Sequence, residues 1–195
     1  MPIITGGLRD SHAKIRERQA FAWFMTVRTW HTVVMVEWTE VIIVDDLKIR
    51  LVAGKSGLRA VQFHTFRQPA GERNDANKWM NQAAEELRAY FAGTLRVFRV
   101  PLDMEGTEFQ LSVWNYLTKI PYGETRSYGQ VAEAIGRSKA VRAVGAANGS
   151  NPVAIIVPCH RVIGSNGKLT GYGGGLPLKK RLLELEGAWT MGLRM

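Results

Sequence analysis

Apolar positions recur along this chain at two periods, and the change of period divides it. Val41-Ile42-Ile43-Val44, Ile49-Arg50-Leu51-Val52-Ala53 and Leu58-Arg59-Ala60-Val61-Gln62-Phe63 are short apolar runs separated by Asp45-Asp46 and by Gly54-Lys55-Ser56-Gly57. They predict the strands of a small antiparallel sheet. After the polar stretch Pro69-Ala70-Gly71-Glu72, the residues Met80, Ala84, Leu87 and Phe91 return at helical spacing until Gly93, which predicts a helix covering that sheet.

A second unit opens near Pro101. Thr107 and Gln110 have capping-box spacing, and Phe109, Val113, Leu117 and Ile120, widened by Trp114, form one helical face before Pro121-Tyr122-Gly123. Two short helices follow, Tyr128 to Ile135 with Ser127 as N-cap and Ala140 to about Asn148, joined through Gly136-Arg137-Ser138-Lys139. That is helix-turn-helix spacing. The apolar run Pro152-Val153-Ala154-Ile155-Ile156-Val157 predicts a strand ending at Pro158, and a last helix runs from Pro177 to Gly187 over Leu178, Leu182 and Leu185.

The expected fold class is therefore α+β. A small N-terminal antiparallel sheet with a covering helix occupies 41–100, and a mostly helical, winged helix-turn-helix-like domain occupies 101–187. Residues 1–40 settle into no period, yet Trp23, Phe24, Trp30 and Trp38 make them too aromatic for a linker. They are expected to be an extension, with a partner surface, an altered first strand or a misplaced start codon as open alternatives. Residues 188–195 are expected to be a tail.

Charge adds a direction to this outline. The 195-residue chain carries a formal +9, and between Lys119 and Arg181 ten lysines and arginines face only Glu124 and Glu133. Such a segment attracts polyanions, and phosphate contacts supply most non-specific nucleic-acid affinity. A solvated basic surface is the plainer alternative. The apolar stretch Ala20 to Val44 is interrupted too often, by Arg28, His31, Glu37 and Glu40, for a membrane span. A start containing Arg9, Asp10, Lys14, Arg16 and Glu17 is unlike a signal peptide. One cysteine forms no internal disulfide and no structural zinc site by itself, so a reducing cytoplasm, no metal and no cofactor are expected.

That cysteine, Cys159, lies in Pro158-Cys159-His160-Arg161. A free cysteine ordinarily behaves as a small buried hydrophobe. An adjacent imidazole and guanidinium are not what such a residue needs, and cationic surroundings favour the reactive thiolate. In the second helix of the pair Ala140, Ala143, Gly145, Ala146 and Ala147 are small, while Arg142 is long and basic. Small side chains let a helix approach a groove wall closely, although tight helix packing explains them as well. Only Asn148-Gly149-Ser150-Asn151 separates this helix from the run leading to Cys159.

Taken in order, these residues resemble the O6-alkylguanine-DNA alkyltransferases, also called methylated-DNA–protein-cysteine methyltransferases, in their bacterial form. The resemblance spans about Leu47 to Gly187. It is carried by Ile120-Pro121-Tyr122-Gly123-Glu124-Thr125, Ser127-Tyr128, Val141-Arg142-Ala143-Val144-Gly145, Asn151-Pro152, Pro158-Cys159-His160-Arg161-Val162, Gly171-Tyr172-Gly173-Gly174 and Leu182-Leu183-Glu184-Leu185-Glu186-Gly187. It implies that Cys159 accepts an alkyl group irreversibly from O6-alkylguanine, that His160 takes its proton through a bridging water, and that Glu186 orients the imidazole. Asn151 would brace the turn before the active segment, Arg142 would fill the gap left by the flipped base, and Tyr128 would aid flipping. Ala143, Gly145, Ala146 and Arg161 would join the DNA contacts in the minor groove, which suits the small side chains. Tyr128, which would also donate a hydrogen bond to the guanine, would line the guanine pocket with Val157, Pro158, Thr170, Gly171, Tyr172 and Gly173. The implied partner is double-stranded DNA bound by a monomer, with cooperative binding along DNA left open. Gly171 to Gly175 is no phosphate loop, since no Gly-Lys-Ser or Gly-Lys-Thr follows.

The chemistry limits what thiol acidity can contribute. Lowering a thiol pKa from about 8.5 to about 7 raises the thiolate fraction roughly fifteen-fold. Nucleophilicity falls roughly five-fold in return, leaving about three-fold. Orientation for in-line attack and stabilisation of the departing guanine must supply the rest. Two other classes compete: a lesion sensor resembling the alkyltransferase-like proteins, which lack the acceptor cysteine present here, and a cysteine hydrolase, which would leave the helix pair and the basic field unexplained.

Overall fold

The computed structural model describes residues 36–44, 47–63 and 71–189. The expected extension up to residue 35 and the tail from residue 190 lie outside these. Strands β1 (Glu37–Ile42), β2 (Lys48–Ala53), β3 (Leu58–Phe63) and β4 (Glu72–Arg73) form one sheet in the order β3-β2-β1-β4. β1 pairs antiparallel with β2, placing Trp38 opposite Val52 and Glu40 opposite Arg50, and β2 pairs antiparallel with β3. The short β4 runs parallel to β1, so the antiparallel core expected from sequence has a parallel edge.

β1 starts at Glu37, four residues before the expected Val41, because its polar side chains are all engaged. Glu40 meets Lys48 at 2.6 Å and Arg50 at 2.7 Å, while Glu37 accepts from Asn77 at 2.5 Å. The Arg50 and Arg73 guanidiniums lie 4.7 and 5.6 Å from the Trp38 ring. The expected boundary at residue 40 thus falls inside a paired strand.

Helix α1 (Lys78–Phe91) is capped by Asn77, whose side chain accepts from the Trp79 and Met80 amides, and it ends before Gly93, at φ 74°. Its buried face, Met80, Ala83, Ala84, Leu87 and Tyr90, shares a core with Ile49, Leu51 and Val61 of the sheet. Helix α2 (Glu108–Leu117) starts from the Thr107/Gln110 capping box and buries Val113, Trp114 and Leu117. Trp114 Nε1 donates to the Ala147 carbonyl at 2.8 Å, joining α2 to the helix pair. Removal of a side chain this large and this buried costs about 3–5 kcal/mol.

The pair itself is α3 (Tyr128–Ala134), entered through a Ser127/Gln130 capping box, and α4 (Val141–Gly149). A two-residue strand before α3, β5 (Arg126–Ser127), pairs parallel with β6 (Val162–Ile163). This pairing brings the start of α3 beside the segment that follows Cys159. Helix α5 (Leu176–Leu185) closes the fold, with Gly187 at φ 71° behind it.

The expected strand over Pro152–Val157 does not form. Ile155 sits at φ 74°, in the left-handed region that β-branched residues avoid at a cost of about 1–2 kcal/mol, and the segment turns on itself. The Val157 amide donates to Val153 at 2.9 Å, and isolated bridges join Val153 to Val61 and Ala154 to Val157. Burial of Val153, Ile155 and Val157 explains the apolar run equally well, since a buried turn leaves the same composition as a buried strand.

Candidate active site

Asn151 holds this turn at both ends. Its Oδ1 accepts from the Val153 amide at 3.0 Å and its Nδ2 donates to the Val157 carbonyl at 2.8 Å. The chain then enters a 3-10 turn, Cys159–Arg161, which places Cys159 at the floor of a cavity of about 120 Å³. Phe63, Asn148, Asn151, Gly171, Tyr172 and Gly173 also line this cavity. Of the expected pocket residues, Gly171, Tyr172 and Gly173 are therefore here. Val157 is wholly buried beneath, and Pro158 lines a separate cavity of about 190 Å³ with Ile120, Tyr122 and Arg161. Thr170 is exposed and lies 2.9 Å, oxygen to oxygen, from the Tyr128 hydroxyl.

Below Cys159 lies a buried polar cluster centred on Glu186. His160 Nε2 is 2.9 Å from Glu186 Oε1, with no solvent exposure on either side chain. Arg161 grips the same carboxylate twice, Nε to Oε2 and Nη2 to Oε1, both at 2.9 Å, and its Nη1 donates to the Ile120 carbonyl at 2.5 Å. Tyr90 donates its hydroxyl to Oε1 at 2.6 Å, and the Gly123 amide approaches Oε2 at 3.4 Å. Burial by itself would raise the Glu186 carboxyl, but donation from His160 and Arg161, then Tyr90, brings it down to about 2. Burial lowers His160 below its ordinary value, overcoming the carboxylate that favours its charged form, so the ring is neutral. With Nε2 donating to Glu186, the buried Nδ1, which has no partner among the described residues, is left as an acceptor.

Burial pushes the Cys159 thiol above its ordinary value, against smaller opposing effects of the Asn151 side chain and the Lys179 charge. The resting pair is a thiol beside a neutral imidazole. Lys179 is fully buried on α5 and donates from Nζ to the Val162 carbonyl at 2.6 Å and the Thr170 carbonyl at 3.0 Å. Desolvation lowers its ammonium to about 8. It thereby ties the last helix to both β6 and the loop that reaches Tyr128.

The helix pair presents a different surface. Arg142, Ala143 and Ala146 are exposed along α4, while Val144, Ala147 and Asn148 face inward. Gly145 faces Tyr128, whose ring a Cβ at that position would meet at 3.9 Å. Arg161 does not belong with them. Expected among the DNA contacts, it is buried at 5% exposure with its guanidinium on Glu186 and Ile120, because the carboxylate beneath it requires a paired cation. No sequence motif singles out Tyr90 or Lys179. Tyr90 lies 96 positions from its partner, and Lys179 occupies an otherwise amphipathic helix. Among the described residues no cluster of three or more His, Cys, Asp or Glu could hold a metal ion, and no helix is long and apolar enough to cross a membrane.

A helix pair with an exposed face of small residues, set beside a cavity with a thiol at its floor and an acid–histidine pair beneath, defines a DNA-binding protein that carries its own nucleophile. Family models agree with that class. "6-O-methylguanine DNA methyltransferase, DNA binding domain" matches residues 108–188, and "6-O-methylguanine DNA methyltransferase, ribonuclease-like domain" matches 48–104. The methylated-DNA–protein-cysteine methyltransferase of Methanosarcina acetivorans is 53% identical over 143 residues, 72% of this chain and 92% of that protein. Its counterpart from Mycobacterium bovis is 65% identical over 104 residues, 53% and 63% of the two chains. The crystal structure of Mycobacterium tuberculosis OGT in complex with DNA superposes with a TM-score of 0.70 at 47% identity, covering 79% of this chain and 93% of that one. The chain belongs to the methylated-DNA–protein-cysteine methyltransferase family, whose members are alkyl-transferring DNA-repair enzymes.

Proposed function

We propose that Cys159 is the acceptor in a direct, single-turnover transfer of an alkyl group, mainly methyl, from O6-alkylguanine in double-stranded DNA. The observation that carries this reading is His160, bound through Nε2 to Glu186 and next in the chain to the thiol that lines the cavity, with its buried Nδ1 left without a partner among the described residues. Cys159 sulfur forms a bond to the alkyl carbon as the carbon–O6 bond breaks. The thiol proton passes toward His160 Nδ1 through a bridging water, the departing guanine takes one proton from solvent, and His160 returns the thiol proton to solvent, so the guanine leaves neutral and the imidazole ends as it began. Since burial holds the thiol protonated at rest, proton removal accompanies attack rather than preceding it. A thioether has no easy hydrolysis route, so each molecule acts once.

The base must leave the duplex to reach a thiol at the floor of a cavity. Tyr128 and Arg142 stand on the two helices of the pair, α4 also lending Asn148 and Gly149 to the cavity lining, and the exposed Ala143 and Ala146 let α4 lie close in the minor groove. A monomer suffices, because every residue of the mechanism lies in one chain. Intact-mass measurement after incubation with a duplex containing O6-methylguanine tests the reading. One methyl is expected on the wild-type chain and none on Cys159→Ala. A folded wild-type chain that gains no mass under these conditions overturns it.

A further inference from the structure

The two family models split the chain between α1 and α2, and every residue of the mechanism above falls in the second segment. One polar atom of the first segment nevertheless reaches the carboxylate. Tyr90, near the end of α1, donates its hydroxyl to Glu186 Oε1 at 2.6 Å, on the oxygen that also receives His160 Nε2 and Arg161 Nη2. From this geometry we infer that Tyr90 is a positioning residue for alkyl transfer, acting through Glu186 on the orientation and basicity of His160. The inference rests on the reading of Cys159 as acceptor and His160 as base.

Three features favour this role over plain packing. The first is that Tyr90 is fully buried and its ring is fixed by Phe91, Phe98 and Tyr122, with centroids 5.5, 5.3 and 6.1 Å away. Its hydroxyl therefore points at one place. The second is that burial, then the Glu186 charge, push its ionisation upward, so it stays a donor and the proton stays on oxygen. The third is the number of donors on one carboxylate oxygen. A carboxylate that must be shared among a phenol, a guanidinium and an imidazole has its rotation fixed and its charge divided. Fixed rotation keeps Nε2 as the donor nitrogen of His160 and Nδ1 as the acceptor toward the thiol. Divided charge limits how far Glu186 stabilises the imidazolium.

Removing the phenol therefore has a definite sign. The charged and titratable groups around His160 are Glu186, Arg161, Lys179, the Cys159 thiol and Tyr172, whose ring lies edge-on at 6.4 Å, and those around Tyr90 are Glu186, Arg161, Tyr122 and Tyr172. Of these, only the sharing at Glu186 changes in Tyr90→Phe. More charge then falls on the His160 bond, the imidazolium becomes easier to form, and the acidic limb of the pH–rate profile moves to higher pH. Loss of orientation slows transfer by roughly tenfold at the plateau, the low end for a hydrogen bond to a charged group.

Single-turnover rates of the full-length chain, measured against pH on an O6-methylguanine duplex and on a free O6-alkylguanine base, test this. Tyr90→Phe is expected to slow both substrates equally and to shift the acidic limb upward. In a Glu186→Gln background the same substitution is expected to have a smaller effect. An unchanged limb, or equal losses with and without Glu186, makes Tyr90 a packing residue and overturns the inference. Should Tyr90→Phe not fold, the nitrogen shifts of His160 in 15N-labelled wild-type protein decide. A neutral ring protonated on Nε2 supports the arrangement, and protonation on Nδ1 overturns it. A wild-type chain that takes up no alkyl group refutes instead the reading on which the inference rests.

Discussion

Two faces of the same helical domain solve opposite problems. The outer face of α4 carries Arg142, Ala143 and Ala146 in solvent, and the capping box of α3 sits beside it. The inner cluster around Glu186 buries His160, Arg161 and the carboxylate itself at 0–5% exposure, with Tyr90 closing it from the other segment. On the proposed function the outer face leaves its groups in solvent for DNA to engage. The inner cluster pairs its charges within the protein, because a buried charge without partners costs several kcal/mol. Substitutions at the inner face should therefore register in stability as well as in the rate of transfer, and those at the outer face mainly in DNA recognition.

Arg161→Ala is the sharpest test at the inner face. It removes two donors from a buried carboxylate and one from the Ile120 carbonyl, and is expected to cost about 3–5 kcal/mol, read as a lower urea midpoint at unchanged slope. A cost below about 1 kcal/mol, the range of an exposed pair, would place Arg161 on the surface after all. Acid should act on the same cluster. The Glu186 carboxyl is lowered in the folded state from the ordinary 4.5 to about 2. The folded state thus favours its ionised form, and its contribution is complete above about pH 4.5 and is lost as pH falls toward 2. The drop corresponds to about 3 kcal/mol. Glu186→Gln should be less stable at pH 7 and should show a shallower loss of stability over that window; parallel curves would remove Glu186 from the centre of the cluster.

The contrast also explains what the sequence discloses. The helices, including the one that carries the outer face, are set by local signals. The Thr107/Gln110 box, the Ser127 cap, the stops at Gly93 and Gly187 and the small residues of α4 all lie within a few positions of what they determine. The inner cluster is assembled from distant pieces. His160 and Glu186 could be paired by resemblance, but Tyr90 comes from 96 positions away and Gly123 from 63. Residue type misdirects here: a guanidinium beside a nucleophile in a basic segment suggests phosphate, yet Arg161 answers a carboxylate. In the same way Glu37 and Glu40 interrupt an apolar stretch, and only their partners on β2 and in the Asn74–Asn77 turn make them strand residues. The Pro152–Val157 turn was hidden because burial selects apolar side chains whatever backbone carries them.

Ser127→Ala lies between the two faces. Ser127 caps α3, pairs in β5 and directly precedes Tyr128, so its hydroxyl sets where the helix begins. Loss of the cap is expected to cost about 1 kcal/mol in urea unfolding and to reduce duplex repair as Tyr128 loses its fixed position. A stability loss with repair rates unchanged would detach Tyr128 from the DNA face.

Arg142→Ala should have the smallest effect on the fold and the most selective one on function. The side chain is exposed on α4, so unfolding free energy should stay within about 0.5 kcal/mol of wild type. If the arginine occupies the space of the flipped base, transfer from an O6-methylguanine duplex should fall by roughly tenfold or more, the scale of one well-placed nucleic-acid contact. Transfer from a free O6-alkylguanine base should not change, because the base needs no flipping and the cavity above Cys159 is untouched. The ratio of the two rates is the informative quantity. A fall on the duplex alone places Arg142 on the recognition face, whereas equal falls on both substrates would mean that the outer helix shapes the thiol's cavity and that the two faces act as one.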